Sequence, residues 1–300
     1  MFAQTMDDIE YIFVDDCTPD RSMELLERII ERENDRITNK GWSVRIFHMP
    51  VNRGLPTVRK HAICLATGDY LLHCDSDDWI APETCKVLYE KAIDDSADIV
   101  ICDYEEHNGS VTKRRVSGCS TIDREPYINH LLSMKDSWSV WNKLIKRELY
   151  NRVITYPTKN MGEDLALYMQ LVIHAERIAY VPQVLYSYFL NPYSISRSRD
   201  KHLEYLRFQQ FLDNVEIVLS CFRINGLDKV YNSSLSSLKW KAKKNIWRLT
   251  YDKFFFRIWR DTYPEINGSL FLNPYITRMD KARFVLTYLR LYPRKRDLIL

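Results

Sequence analysis

Three short stretches put carboxylates where chemistry could use them: Asp15 and Asp16 after Val14, the run Asp75, Ser76, Asp77, Asp78, and Glu163 with Asp164 after Gly162. Like charges this close raise one another's pKa unless a cation shares them, so the run at 75–78 suits a divalent metal. Oxygen donors favour Mg²⁺ or Mn²⁺ over zinc, and such ions keep waters and take up substrate phosphate. The alternative is a solvated acidic turn in which an aspartate caps the helix starting near Pro82. For Glu163 and Asp164 it is a first helical turn enriched in acids by the helix dipole. With only 8 glycines in the chain, a glycine-cradled phosphate loop is not expected.

The elements that would position these acids follow from periodicity. Residues 9–14 read as a strand, and 20–33 as a helix with Met23, Leu26, Ile29 and Ile30 on one side. Strand 43–48, helix 56–66, strand 70–74, helix 82–93 with proline at its start, and strand 98–104 follow. This alternation predicts an α/β fold, a Rossmann-like, mostly parallel sheet with helices on both faces, because parallel neighbours need a crossover. Ligands of such sheets bind beyond the carboxyl ends of the strands, and the first two acidic stretches directly follow the first and third strands. From 123 to 190 the pattern is mixed: helices at 123–132, 141–150 and 163–175, then strands at 177–181 and 184–190. Beyond about 200 the chain reads as helical and basic.

Composition limits the remaining choices. The 300 residues are 46% hydrophobic and 28% charged, as in a folded water-soluble domain, and no run approaches the roughly 18 apolar residues that cross a bilayer. Seven cysteines without a CxxC pair, several inside apolar runs, fit reduced thiols in a cytoplasmic setting. The net charge of +3 hides an asymmetry: residues 201–300 hold 19 Lys and Arg against 9 Asp and Glu, so the first 200 residues are net acidic. A basic end of this kind suits anionic lipid head groups or nucleic acid, with a solvated basic face the alternative.

Taken in order, VDDCTPD, NRGLPTVRK, ATGDYLLHCDSDDWI, WNKLIKREL, GEDLALYMQL and LYSYFLNPYSIS resemble the inverting family 2 glycosyltransferases of GT-A fold, over residues 1–198. Residues 199–300 would then form a helical, basic-aromatic C-terminal region. The resemblance implies a nucleotide-sugar donor, Mn²⁺ or Mg²⁺, and a glycan or lipid-linked acceptor in surface polysaccharide synthesis. Carried over by position, Asp16 would hydrogen-bond the nucleotide base with Asp15 in support, Asp75 would face the ribose, and Asp77 would hold the metal on the diphosphate. Asp78 would be structural. Arg59 would lie near the nucleotide or brace the acidic loops, and Asn52 and Gly54 would shape its loop. Asp164, second of the family's acidic pair, would take the proton from the acceptor hydroxyl. Trp138, Trp141 and Tyr193 are candidates for the acceptor side, with core packing the alternative for at least one tryptophan, and the resemblance implies that Asn191 and Ser194 fall where the family closes over the diphosphate, with no role assigned to either. Where the family has Gly-Ser and Arg-Asn, this chain has Cys17-Thr18 and Arg59-Lys60.

The resemblance also implies that the chain opens inside a helix, one βα unit late. An omitted inner strand would leave unpaired backbone groups on both neighbours, so a longer natural chain, or an unstable or inactive form, is the expectation. A catalytically idle nucleotide-binding module is the rival reading; nucleic acid is not an expected partner, since no nucleic-acid motif is present. In the tail, Trp240, Trp247, Tyr251, Phe254 and Ile258 would share one side of a helix over 238–260, and 281–296 is a second basic-aromatic segment. Peripheral attachment to the inner membrane leaflet and docking on the catalytic domain are the two readings.

Overall fold

The structure, a computed structural model, describes residues 1–191 and 200–291. Strand and helix alternate as the periodicity requires: β1 (Glu10–Asp15), α1 (Ser22–Arg32), α2 (Asn34–Asn39), β2 (Ser43–His48), α3 (Leu55–Leu65), β3 (Tyr70–Leu72), β4 (Trp79–Ile80), α4 (Thr84–Asp94) and β5 (Ile99–His107). Next come β6 (Thr112–Val116), α5 (Arg124–Leu132), β7 (Lys143–Lys146), α6 (Glu163–Val172) and β8 (Ile178–Phe189). The helical end comprises α7 (Lys201–Ile224), α8 (Asn232–Lys244), α9 (Lys253–Asp261), α10 (Ile266–Ser269) and α11 (Arg278–Tyr288).

The α/β class holds, but the strand directions correct the expectation of a mostly parallel sheet. β1 pairs β2 and β5 pairs β8 in parallel, whereas β3–β7, β7–β5, β8–β4 and β5–β6 are antiparallel. Two of these four antiparallel pairings come from WNKLIKREL. The segment expected as a helix over 141–150 instead lays Lys143–Lys146 between β3 and β5, with Ile145 opposite both Leu71 and Ile99, and only then turns into a short 3₁₀ helix. A four-residue stretch, here Lys-Leu-Ile-Lys, is too short to show a period of its own, so two strands needing a neighbour decide its state. The strands expected at 177–181 and 184–190 are one, β8, whose exposed Pro182 and Gln183 sit at a register shift against β5.

Side-chain alternation along β5 sorts the core into two layers. Ile99 and Ile101 join Ile145 and the buried faces of α5, α6, α7 and α8; Val100 and Cys102 join Leu144, Leu88 and Ala92 on the α4 side. α7 therefore belongs to the same core as the sheet, through Phe211, Val215, Val218 and Phe222. β1 and β2 form a separate two-stranded sheet, with Phe2, Tyr11, Ile37 and Trp42 as its own core. Among the described residues β1 pairs only with β2 and β3 only with β7.

The C-terminal region overturns the continuous aromatic stripe. α8 ends at Lys244, a 3₁₀ turn covers Trp247–Leu249, and Asp252 starts a new helix by accepting the Phe254 amide. Trp240 and Trp259 are buried with Phe208, Ile246, Leu249 and Phe284 in a small core of their own, and Lys243 is buried with them. Among the described residues no helix is long and apolar enough to cross a membrane.

Candidate active site

α3 begins at Gly54, whose φ of +79° is open to glycine and strained for other residues, and a Cβ there would meet Asn160 at 3.0 Å. The Asp16 carboxylate, at the end of β1, accepts the amides of Arg53 at 2.7 Å and Gly54 at 2.8 Å, while Asn52 Nδ2 donates to the Asp16 carbonyl. Each Asp16 oxygen keeps a lone pair for a further donor. Asp15 is occupied by the Thr18 amide and His48. The first strand is thus clamped to the helix that carries Arg59.

Arg59 gathers acids from two distant segments. Its Nη2 lies 2.9 Å from Glu163 Oε1, 3.3 Å from Asp164 Oδ1 and 3.6 Å from Asp75 Oδ1, and its side chain is 5% exposed. Of the two readings for Arg59, bracing of the acidic loops is the one this geometry displays. Burial works against the Arg59 charge, and the carboxylates of Asp164, Glu163 and Asp75 outweigh it, raising the pKa. One guanidinium does not neutralise three carboxylates. Burial, and then the Asp164 charge, pushes Glu163 well above its ordinary value, and burial lifts Asp75 to about 6 against the pull of Arg59. Glu163 is closed off, with Oε2 lacking a hydrogen bond among the described residues, whereas the Asp164 side chain is 20% exposed.

The approach of these groups depends on Gly162, in the left-handed region at φ +79° where α6 starts. A Cβ would meet the Phe211 ring at 2.6 Å, so α7 closes onto the α6 N-terminus only over a glycine. Asn214 of α7 also donates to the carbonyls of Lys159 and Met161, fixing the loop before it.

The 75–78 run splits by role. Asp78 accepts from Tyr186 Oη at 2.5 Å and the Phe189 amide at 2.7 Å, and Tyr186 Oη in turn accepts the Asp75 amide at 3.2 Å. Asp78 is thus tied to β8. Trp141 stacks at 4.4 Å on Tyr186 with Tyr104 on its edge, and at 7% exposure it is a core residue beneath the acidic loop rather than an acceptor contact. Trp138 is half-buried against the main core; Tyr193 and Ser194 lie outside the described residues. Asp77 is exposed and makes no hydrogen bond or ion pair among the described residues, yet its charge is felt by both Asp75 and Asp78. Among the described residues no three His, Cys, Asp or Glu side chains group as a metal cage. The residues present would suit a Mg²⁺-type ion held by one or two carboxylates and completed by substrate phosphate and water, and Asp77 is the carboxylate here that could serve it.

The sequence pattern of glycosyl transferase family 2 matches residues 1–174, more than half of the chain. The chain belongs to that family. It is 30% identical over 208 residues to EpsH of Bacillus subtilis, covering 67% of this chain and 58% of the relative, and 28% identical to EpsJ of the same organism, covering 68% and 60%. The cholesterol galactosyltransferase of Borreliella burgdorferi is 27% identical over 208 residues, 65% of this chain and 56% of that one. The match thus spans less than two thirds of each of these relatives. Among solved structures, S. aureus TarS 1–349 in complex with UDP-GlcNAc superposes with a TM-score of 0.55 at 17% identity, covering 89% of this chain and 84% of that one. This likeness shows a shared GT-A fold followed by a helical C-terminal region.

Three site features of this family member were not legible from its sequence. Tyr186, 111 residues from the Asp75 amide it accepts, carries no local signal beyond strand alternation. His73 bonds Tyr150 Oη at 2.9 Å, and burial and then Arg59 hold it well below its ordinary pKa. Lys143 is fully buried, its ammonium on the carbonyls of Ser137 and Ser139 and on Asn142 Oδ1, beneath the Tyr168 ring of α6. A lysine inside an apolar strand was the available signal.

Proposed function

We propose that this protein is a nucleotide-sugar-dependent glycosyltransferase that moves one sugar, with inversion, onto a glycan or lipid-linked acceptor in surface polysaccharide synthesis. The observation that carries the reading is the convergence of Asp75, Glu163 and Asp164 on Arg59, with the uncommitted Asp77 beside them. Burial and the neighbouring Asp164 charge raise Glu163, and of the two acids Asp164 is the one open to solvent, at 20% against 4% exposure.

In this reading an acceptor hydroxyl donates its proton to Asp164 as its oxygen attacks the anomeric carbon, and the bond to the nucleoside diphosphate breaks on the opposite face. A single displacement inverts the centre. Asp16 holds the nucleotide base with its remaining lone pairs, Asp75 faces the ribose, and Arg59 holds Asp75 and Asp164 in place. Mg²⁺ or Mn²⁺ on Asp77, when bound, would neutralise charge on the departing diphosphate. The UDP-GlcNAc complex of TarS supports a nucleotide sugar as donor. A lipid-linked acceptor would be met at the inner leaflet, which makes the reading one of a cytoplasmic, peripherally attached enzyme.

The test is release of nucleoside diphosphate from a panel of nucleotide sugars with Mn²⁺, for the wild type and Asp164→Asn. Turnover lost with donor affinity intact supports the reading. Equal turnover in both proteins removes Asp164 as base, and donor binding without turnover in the wild type favours the idle binding module.

A further inference from the structure

The exposed apolar surface of the C-terminal region lies on α11, which overlaps the second basic-aromatic segment, 281–296, and on the tip before it. Leu272 is 89% exposed, and Phe271 beside it packs on Phe284 of α11. On α11 itself Asp280, Phe284 and Thr287 face inward, so at 100° per residue Met279, Ala282, Val285, Leu286 and Leu289 share the outward side. All five are exposed. Lys281 flanks this side next to Phe271, whose carbonyl it bonds at 2.7 Å, and Arg283 and Arg290 flank the other, over the rings of Trp247 and Phe256. Arg278 sits at its start. The single acid of 278–291, Asp280, is buried and paired with Lys244 at 2.8 Å.

We propose that this outward face of α11, with the Phe271–Leu272 tip, is the surface by which the protein lies on an anionic phospholipid bilayer. The geometry is that of an interfacial helix: an apolar side exposed in contiguous turns, cations on both flanks, and, within 278–291, no solvent-facing acid to repel phosphate head groups. Charge selects this occupant over a second copy of the chain, since two copies meeting face to face would bring eight like charges together. The surface gives the membrane part of the proposed function a location, but its binding does not require the catalytic reading to be right.

The test is co-sedimentation of the full chain with phosphatidylcholine vesicles, with and without phosphatidylglycerol, at low and raised salt. Wild type is expected to bind the phosphatidylglycerol vesicles and to release them at raised salt. Leu272→Asp with Leu289→Asp should lower the partition about tenfold or more, and Arg278→Glu should lower it about fivefold or more. Leu25→Asp, at a leucine of α1 as exposed as Leu289, should change nothing. Equal binding to both vesicle types, or full binding by the folded double variant, would overturn the proposal. So would a wild-type dimer in light scattering that the double variant abolishes, because a second copy would then own the face. Nucleotide-sugar turnover, measured apart, leaves this result untouched.

Discussion

Two buried cations show how differently the two ends of the molecule handle charge. Arg59 sits among three carboxylates that outnumber it, and part of their charge is left for something else to neutralise. Lys243, in the C-terminal core, is held by the carbonyls of Arg260 and Thr262 and by Asn267 Oδ1, under the Trp259 ring, with neutral acceptors matched to its three hydrogens. A support closes its electrostatics with neutral acceptors; a site leaves them open for a ligand.

The largest effect that would break this contrast is on rate. Asp164→Asn should cost between about a hundredfold and ten-thousandfold in nucleoside diphosphate release while leaving the urea midpoint close to wild type, because general-base catalysis is of that size. A variant that loses stability but not turnover would make Asp164 a brace and Arg59 its reason. Next is Arg59→Met, which strands three acids in a poorly hydrated nest and should cost about 3–5 kcal/mol of unfolding free energy at pH 7. The loss should shrink as pH falls: the folded-state pKa of Asp75, at about 6, lies above the usual 3.8, and Glu163 is raised too, so both carry protons more readily as pH drops. Urea midpoints at neutral and mildly acid pH decide it, and a loss that grows at acid pH would contradict the proposed charge excess.

This contrast was only half legible in the sequence. The acids declared themselves because they follow strands and sit where an alternating sheet puts its ligand, and β2 and α5 were placed almost to the residue by period alone. What joins the acids was not legible, since Arg59 and Glu163 are 104 residues apart and no periodicity reports a contact of that range. β7 failed for the same reason, its state being set by β3 and β5. In the tail, 3.6-residue spacing gave one helix where the chain makes two helices and a turn, because the break at Asp252 is a cap, which a count of apolar positions does not register.

A smaller effect sharpens the link between the regions. Gly162→Ala places a methyl 2.6 Å from the Phe211 ring at a φ that L-residues rarely adopt, and should cost about 2 kcal/mol in stability. Because the shift falls on the start of α6, donor turnover should drop further than the stability loss accounts for at a temperature where the variant stays folded. Turnover unchanged in the folded variant would show that the α6–α7 seam does not set the position of Asp164.

At neutral pH the smallest effect belongs to Lys243→Met. The variant loses a buried cation and leaves three acceptors without a donor, and these offset to within about 1 kcal/mol, since apolar replacement of a buried charge is often near neutral. Its pH dependence is the informative part. Burial pulls Lys243 down to about 8 from 10.5, so between those values the unfolded chain binds more protons than the folded one. Stability from this group is therefore fully present above about 10.5 and lost as pH falls through about 8, a swing of about 3 kcal/mol. Wild type should gain on the methionine variant as pH is raised through that window, read as diverging urea midpoints. Parallel midpoints would mean that Lys243 keeps its proton when folded, and that the C-terminal core tolerates a permanent charge as the Arg59 nest does.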